Sequence, residues 1–557
     1  MGSAYSFDNC PVGMQPMAAA GVDSQMRCAG PGVDIGRREL LRLATAGLAA
    51  AGADSARRTL ALAADQLAPF DVRSFGATGD GRTVDTPAVN QAIAAAAAAG
   101  GGSVRFGPGV YLCYSIRLKS RVTLHLEPGA IVLAAPAGGY DSAESNAPYE
   151  SFQDFGHSHW HNSLIWGEGI HDVAIIGQGL ICGRALSRGE AAEADRPPAD
   201  APGAADKAIA FKRCRNVTVR GVGILAAGHF AVLATGTDNL TLEDVRIDTN
   251  RDGINVDCCK NVRIAKCSVN SPWDDGICLK SSFALGEIRA TENVTVSDCY
   301  VTGGFALGTM LDGSFRRIDA NDGQPTGRIK CGTESNGGFK DIAITNCIFE
   351  SCRGLALESV DGGSIEDIAV TGLTMRDIRN APFFLRLGAR LRAPAGAGVG
   401  SLKRVMLSNI VCDAPANGMP AIIAGIPGHV IEDVSVSDVV MVQKGGASAA
   451  PADVVPPEEE RDYPEPSFFG PLPARGLFVR HARNLEFHHI EIMGVQSDAR
   501  AFVWLSDVDG ADFSALRLSG RGGAPALRLH ESRNMRIADS RGLPDRLLDE
   551  VKDGAFP

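Results

Sequence analysis

From about residue 215 onward one short phrase returns nine times: RNVTVRGVGI, DNLTLEDVRI, KNVRIAKCSV, ENVTVSDCYV, KDIAITNCIF, EDIAVTGLTM, KRVMLSNIVC, EDVSVSDVVM and RNLEFHHIEI. We take Asn216, Asn239, Asn261, Asn293, Asp341, Asp367, Arg404, Asp433 and Asn484 as markers. The first and third positions after every marker are apolar, from Val217 and Val219 to Leu485 and Phe487. The sixth position forms another apolar column: Val222, Val245, Cys267, Cys299, Cys347, Leu373, Ile410, Val439 and Ile490. Alternation with period two means a strand with one buried face, and the change of phase between the third and sixth positions marks a bend between two short strands.

The closest markers, Asn216, Asn239 and Asn261, are spaced by 23 and 22 residues. That length accommodates one coil of three short strands, and the longer gaps then carry loops. A unit this small cannot bury its own apolar face, so successive units must stack into a parallel β-helix filled by columns of like side chains. Propeller blades need about 40 residues each, and the leucine-rich phrase is missing. The columns also account for cysteines. Fourteen are present, but Cys267, Cys299 and Cys347 share their column with Val and Ile, which reads them as small buried hydrophobes rather than disulfide partners. No CxxC pair occurs, and adjacent Cys258 and Cys259 do not have the spacing of a zinc site, so no metal is expected.

Ahead of the repeats, residues 71–112 contain a helix signal: Thr86 as N-cap, Pro87 at the first helical position, and an Ala run ending at Gly100 to Gly102. Such a helix suits the open end of a β-helix, whose strand edges need cover. Residues of about 184–206 and 443–472 read as long loops. The expected organisation is an export signal and arm over 1–66, a β-helical domain over 67–548 and a tail over 549–557. The signal is GRRELLRLATAGLAAAGA, Gly36 to Ala53, which has the paired arginines and short apolar segment of twin-arginine export and implies a periplasmic or secreted protein. The stretch before Arg37 is long for such a signal, which points to a start nearer Met26. No segment approaches the roughly 18 apolar residues of a membrane helix. A formal net charge of -11, without any Lys/Arg-rich run, argues against nonspecific nucleic-acid binding.

Two coils share an Asp-Gly-Ile phrase: NRDGINVD, with Asp252, and PWDDGICLK, with Asp274 and Asp275. Aligning the phrase sets Asp252 over Asp275, one coil of 23 residues on, with neighbouring strands about 4.8 Å apart. All three carboxylates then meet on one patch of the outer face. At about 4 Å and an effective dielectric near 20, each pair repels by roughly 4 kcal/mol, or about three pKa units. One group then stays protonated while another stays ionised, the combination that glycoside hydrolysis needs. Asp-Gly pairs also cap turns, and a single one would carry no such weight. Counting four residues on from Gly253, Gly276 and Gly354 gives Asp257, Lys280 and Glu358, a column of alternating charge that reads equally well as an ion-pair ladder. In GRIKCGTES, Arg328 and Lys330 alternate onto one face and suit a sugar carboxylate.

These motifs resemble glycoside hydrolase family 28, the polygalacturonases, and in particular a bacterial exo-acting branch. NRD at Asn250 to Asp252, the pair Asp274-Asp275 and RIK at Arg328 to Lys330 match the family's Asn-Thr-Asp, paired aspartates and Arg-Ile-Lys. GGFALGTMLDG, GTESNGGFKDI, CRGLALESVDGG, NAPFFLRLGAR and YPEPSFFGPLPARGLFVRHARN extend the likeness over roughly residues 68 to 545. The resemblance implies a right-handed parallel β-helix and inverting hydrolysis of galacturonate-containing polysaccharide, without metal or cofactor. It implies Asp274 as general acid, Asp252 and Asp275 as the groups that position and deprotonate water, and Arg328 and Lys330 as uronate ligands. The family's Gly-His-Gly falls near Gly303 to Gly308, where GGFALG has no histidine. His229, one coil before Asp252, is a substitute, although it also fits a coil-turn role. Trp273 beside the paired aspartates suits stacking on a sugar, and the loop with Trp160, His157, His159 and His161 is expected as a cleft wall. A β-helical polysaccharide lyase and a carbohydrate-binding solenoid are the rival readings. Linkage and oligomeric state are not legible.

Overall fold

The computed structural model describes residues 70–188, 198–319, 325–413, 418–447, 454–520 and 522–557. The twin-arginine segment and Met26 lie outside them. The described residues form one sheet of 36 strands, every strand pairing parallel except the last with its predecessor. In the central coils each strand pairs with the third strand before and after it. Asp238–Glu243 lies between Arg215–Arg220 and Lys260–Ala265, and Asp252–Asp257 lies between Phe230–Thr235 and Ile277–Ser281. The chain is a right-handed parallel β-helix, the hand that parallel crossover connections adopt.

The three apolar columns fill its interior. Val217, Leu240, Val262 and Val294 stack on one another, as do Val219, Leu242, Ile264 and Val296, all at most 1% exposed. Burying each such side chain contributes about 1.5–3 kcal/mol. The markers and the bends share one backbone device. All nine markers have a left-handed conformation, with φ between 53° and 60°. So does every residue five positions later, from Gly221 and Asp244 to Asp438 and His489. Asn, Asp and Gly tolerate that conformation best, which explains their abundance at both positions. The marker asparagines also bond along the stack: Asn239 Nδ2 donates to Asn216 Oδ1 at 2.8 Å and Asn261 Nδ2 to Asn239 Oδ1 at 3.1 Å.

The helix spans Thr86–Ala98 and buries Ala88, Val89, Ala92, Ile93 and Ala96. Its N-cap is Asp85 rather than the expected Thr86. The Thr86 hydroxyl is drawn away to accept from Tyr114 N at 2.7 Å, and the Asp85 carboxylate binds Thr78 N and Gly79 N. Residues 549–557 are mostly strand rather than tail: Arg546–Phe556 runs antiparallel along Leu527–Ala538. An amphipathic tail beside an unpaired strand gains backbone hydrogen bonds by pairing with it.

Within the second long loop, residues 456–459 are held by buried arginines. Arg386 Nη2 donates to the Glu458 and Glu459 carbonyls at 2.7 and 2.8 Å, and Arg480 Nη1 to Pro456 O at 3.0 Å. Both guanidinium groups lie over the Phe469 ring. This anchoring determines where Tyr463 emerges. Among the described residues no helix is long and apolar enough to cross a membrane.

Candidate active site

Asp252 opens its strand, and Asp275 ends the turn before the next one up. Gly253 N donates to Asp275 O at 3.0 Å and Ile254 N to Gly276 O at 2.9 Å. Carboxylate oxygens of Asp252, Asp274 and Asp275 lie within 4.8 Å of one another. The glycine after Asp252 serves this approach rather than a turn. A Cβ on Gly253 would stand 2.4 Å from both Gly276 O and Val269 Cγ1, so only glycine lets the two coils close at this point. The patch is not fully solvent-facing, as the outer-face reading required. Asp252 and Asp275 are 2% and 3% exposed, and only Asp274 is open, with 27% of its side chain exposed.

The environments of the three differ. Burial is the largest influence on Asp275 and would raise its pKa, but Lys330 and Arg328 outweigh it and hold the group well below the usual carboxylate range. Lys330 Nζ and Arg328 Nε each lie 2.9 Å from its oxygens. Burial, and then the charge of Asp274, pushes Asp252 well above that range. Its Oδ2 accepts from Asn255 Nδ2 at 3.3 Å, and its Oδ1 has no hydrogen-bond partner. Glu358 is fully buried behind the cations, 3.6 Å from Arg328 and 3.8 Å from Lys330. Arg328 and Lys330 thus face inward to Asp275 and Glu358, rather than outward to a ligand.

The alternating-charge column does not form. Asp257 pairs with Lys280 across one rung, but the register shifts beyond Leu279. Lys280 Nζ instead meets Glu334 at 2.6 Å and His157 Nδ1 at 3.4 Å. Asp257 takes Ser282 N and Oγ, and Glu358 takes Thr333 Oγ1. All three charged groups are buried, not a solvated ladder.

Two histidines reach Asp252. Nitrogens of His157 and His229 lie within 4.8 Å of its oxygen and of each other, and their rings are 5.3 Å apart. His229 stacks on Phe230 and has Arg188 and Asp206 at Nδ1. Gly156 makes room for it, because a Cβ there would stand 2.5 Å from His229 Nδ1. Burial keeps both imidazoles neutral, with His157 pushed down to about 3, helped by Lys280, and His229 held well below its ordinary value. The rest of the expected wall lies elsewhere. Trp160 is fully buried, donating to Thr235 Oγ1 at 3.0 Å beneath Lys212. His159 stacks on Phe155, and His161 on Trp166. These aromatics pack under their own loop. Trp273 is half-buried beside Asp274, and its N–H donates to Asn250 O.

Sequence reasoning missed three contributors. Arg251 pairs with Asp274 at 3.1 Å, Glu334 holds Lys280, and Tyr463 accepts from Lys330 Nζ at 3.1 Å with its ring 45% exposed. Arg251 and Glu334 stood inside phrases already quoted, next to expected site residues. Tyr463 opens the quoted phrase YPEPSFFGPLPARGLFVRHARN, but it lies 133 residues from its partner and nothing in that phrase pointed to Lys330. The His157–His229–Asp252 and three-aspartate groups are each compact enough for a cation. Lys280 and Arg251 already supply positive charge at both, and we assign no metal.

Comparison with known proteins follows the same segment. Residues 144–316 match the family described as glycosyl hydrolases family 28, and residues 70–176 that described as rhamnogalacturonase A/epimerase, pectate lyase-like. A probable polygalacturonase of Vitis vinifera is 26% identical over 323 residues, 55% of this chain. The match spans 60% of that protein's length. The exopolygalacturonase of Thermotoga maritima superposes with a TM-score of 0.52 at 19% identity, over 67% of this chain and 86% of that one. PfbA, a surface adhesin of Streptococcus pneumoniae, does so at 0.50 and 15%, over 83% and 92%. At these identities the two structures bear on the fold alone.

Proposed function

The segment that carries the aspartates belongs to glycosyl hydrolases family 28, and from that premise we propose that this protein hydrolyses glycosidic bonds in uronate-containing, pectic polysaccharide or oligosaccharide. The observation that carries the proposal is the division of charge within one cluster. Asp275 is held ionised by Lys330 and Arg328, while Asp252, 4.8 Å away or less, is pushed toward its protonated form by burial and by Asp274. A carboxylate ionised at neutral pH has lone pairs free to orient a water and receive its proton, and a buried neutral carboxyl can keep or return one.

In this reading Asp274, the exposed member, protonates the leaving oxygen as general acid. Asp275 deprotonates the attacking water. Asp252 orients that water and shares its proton with Asp274, while the neutral His157 and His229 hold Asp252 in place of the histidine that GGFALG lacks. Lys330 and Arg328 then act on substrate through Asp275. Lys280 and Glu358 complete the buried charge balance, and Trp273 lines the sugar site. Attack by free water inverts the anomeric configuration. Oxygens within 4.8 Å are closer than the roughly 6.5–9.5 Å usual for an inverting carboxyl pair, so the anomer of the first-formed product is the decisive stereochemical measurement.

Exo action is part of the proposal. Arg392 and Asp154, 3.3 Å apart, tie the His157 segment to the loop after Leu387, which supports a cleft closed on one side. Export by the twin-arginine route is likewise proposed, and cell fractionation of the tagged protein tests it. Incubation with pectic oligosaccharides tests the function. New reducing ends without ultraviolet-absorbing double bonds, lost in Asp274→Asn, are expected. Unsaturated products would mean a lyase, and tight binding without turnover a binding solenoid.

A further inference from the structure

The two cations that the family resemblance assigns to the substrate's carboxylate are each 2% exposed and engaged with Asp275 and Glu358. A different cation reaches solvent beside the aspartates. Arg251 stands one residue before Asp252, with 32% of its side chain exposed, and its Nη2 lies 3.1 Å from Asp274 Oδ2. Its Nε is buried and has no hydrogen-bond partner. The backbone beneath is fixed by the next coil: the Ser271 hydroxyl bonds to the Arg251 and Asp274 carbonyls, and Trp273 N donates to Asn250 O. The guanidinium is therefore delivered to the aspartates by a turn held by the next coil, and among the described residues its one ion pair is with the partly exposed Asp274.

We propose that Arg251 recognises the carboxylate of a uronate bound beside Asp274, exchanging its ion pair with Asp274 for one with the sugar. A half-exposed ion pair is held weakly against solvent, so the exchange costs little. A guanidinium fork offers two parallel N–H donors to a planar carboxylate, and the exchange frees Nη2, now on Asp274, to be one of them. A neutral sugar has no group to displace Asp274, and the Arg251–Asp274 pair stays closed over it. Recognition of the sugar's charge and release of the exposed aspartate thus become one event. This inference rests on the hydrolase reading for its substrate class, and it makes Arg251 a specificity-determining residue.

The test compares the full chain with Arg251→Gln and Arg251→Lys on trigalacturonate and on the same trisaccharide with its carboxyls reduced to alcohols. We expect Arg251→Gln to raise KM for the acid form at least tenfold and to cut the acid-over-reduced preference in kcat/KM by at least tenfold. Arg251→Lys, which keeps the charge but not the fork, recovers part of it. Equal losses on both substrates, or an unchanged preference, would overturn the proposal. If the wild-type protein turns over neither trisaccharide, the hydrolase reading itself fails. Calorimetric binding of the same two probes then decides separately, and equal affinity of wild type and Arg251→Gln for the acid form removes Arg251 from recognition.

Discussion

The Lys330 ammonium lies 2.9 Å from the Asp275 carboxylate, and neither group is more than 3% exposed. An ion pair so placed makes the site's charge and the fold's acid stability one property. Because the folded-state pKa of Asp275 is depressed, its contribution is complete above the unfolded value of about 3.9 and drains away as pH falls below it. Asp275→Asn leaves two buried cations short of a partner and is expected to cost about 3–5 kcal/mol at pH 7. Urea unfolding at pH 7, 4 and 3 measures this. The gap to wild type should hold between pH 7 and 4 and narrow at pH 3. A gap as wide at pH 3 as at pH 7 contradicts the assignment.

The neutral His157 and His229 owe their state to burial, with cations nearby adding to it, and have a different window. Each imidazole takes up a proton on unfolding below about pH 6.5 but not while folded, so stability falls with pH through that range by about 1.4 kcal/mol per pH unit per histidine. His157→Gln and His229→Gln, which are never charged, should each flatten the decline between pH 6.5 and 5 in denaturation curves. Identical slopes in wild type and the double variant would show that the rings are charged in the fold. In turnover assays each Gln variant is expected to lose about tenfold in kcat, less than the roughly 10²–10⁴ of a group that itself transfers the proton, because the rings act by holding Asp252.

Tyr463 reaches Lys330 from a loop pinned by Arg386 and Arg480. A hydrogen bond to a charged group is worth about 1.5–3 kcal/mol and an exposed cation–π contact about 0.5–1 kcal/mol. Tyr463→Phe is expected to lower kcat/KM about tenfold, and Tyr463→Ala to lower it further, as measured by initial rates on trigalacturonate. Wild-type rates in Tyr463→Ala would exclude the loop from the site.

The twelve described cysteines are all buried, and burial raises the thiol pKa at Cys113, Cys258, Cys259 and Cys278. Native protein treated with a thiol reagent such as DTNB should therefore label at no more than Cys10 and Cys28, which lie outside the described residues. All fourteen should label in guanidinium. Rapid native labelling of more than two thiols would mean that the columns open.

The coil and its columns were legible because alternation and spacing are local: Val217 and Val219 declare their face without reference to any distant residue. The alignment of Asp252 with Asp275 was legible for a related reason, since a shared Asp-Gly-Ile phrase pins two consecutive coils of equal length. Counting failed where coil length changed. Between Lys280 and Lys330 the chain makes a long excursion, and the register slips beyond Leu279, so Lys280 meets Glu334 rather than continuing a ladder to Glu358. Contacts made by loops were illegible altogether. His157 approaches Lys280 across 123 residues, and nothing in FGHSHWHN distinguished that histidine from its neighbours or announced that Trp160 would be covered.

The reversed strand Arg546–Phe556 also changes what the end of the stack offers to another chain. A stack of parallel rungs is a template on which an identical chain's rungs can continue, which is how fibres grow. Here the final rung is overlaid by a segment of opposite polarity, and at the far end the helix Thr86–Ala98 lies against the opening strands. Among the described residues neither end therefore presents a bare parallel edge of the kind on which an identical rung would continue the stack.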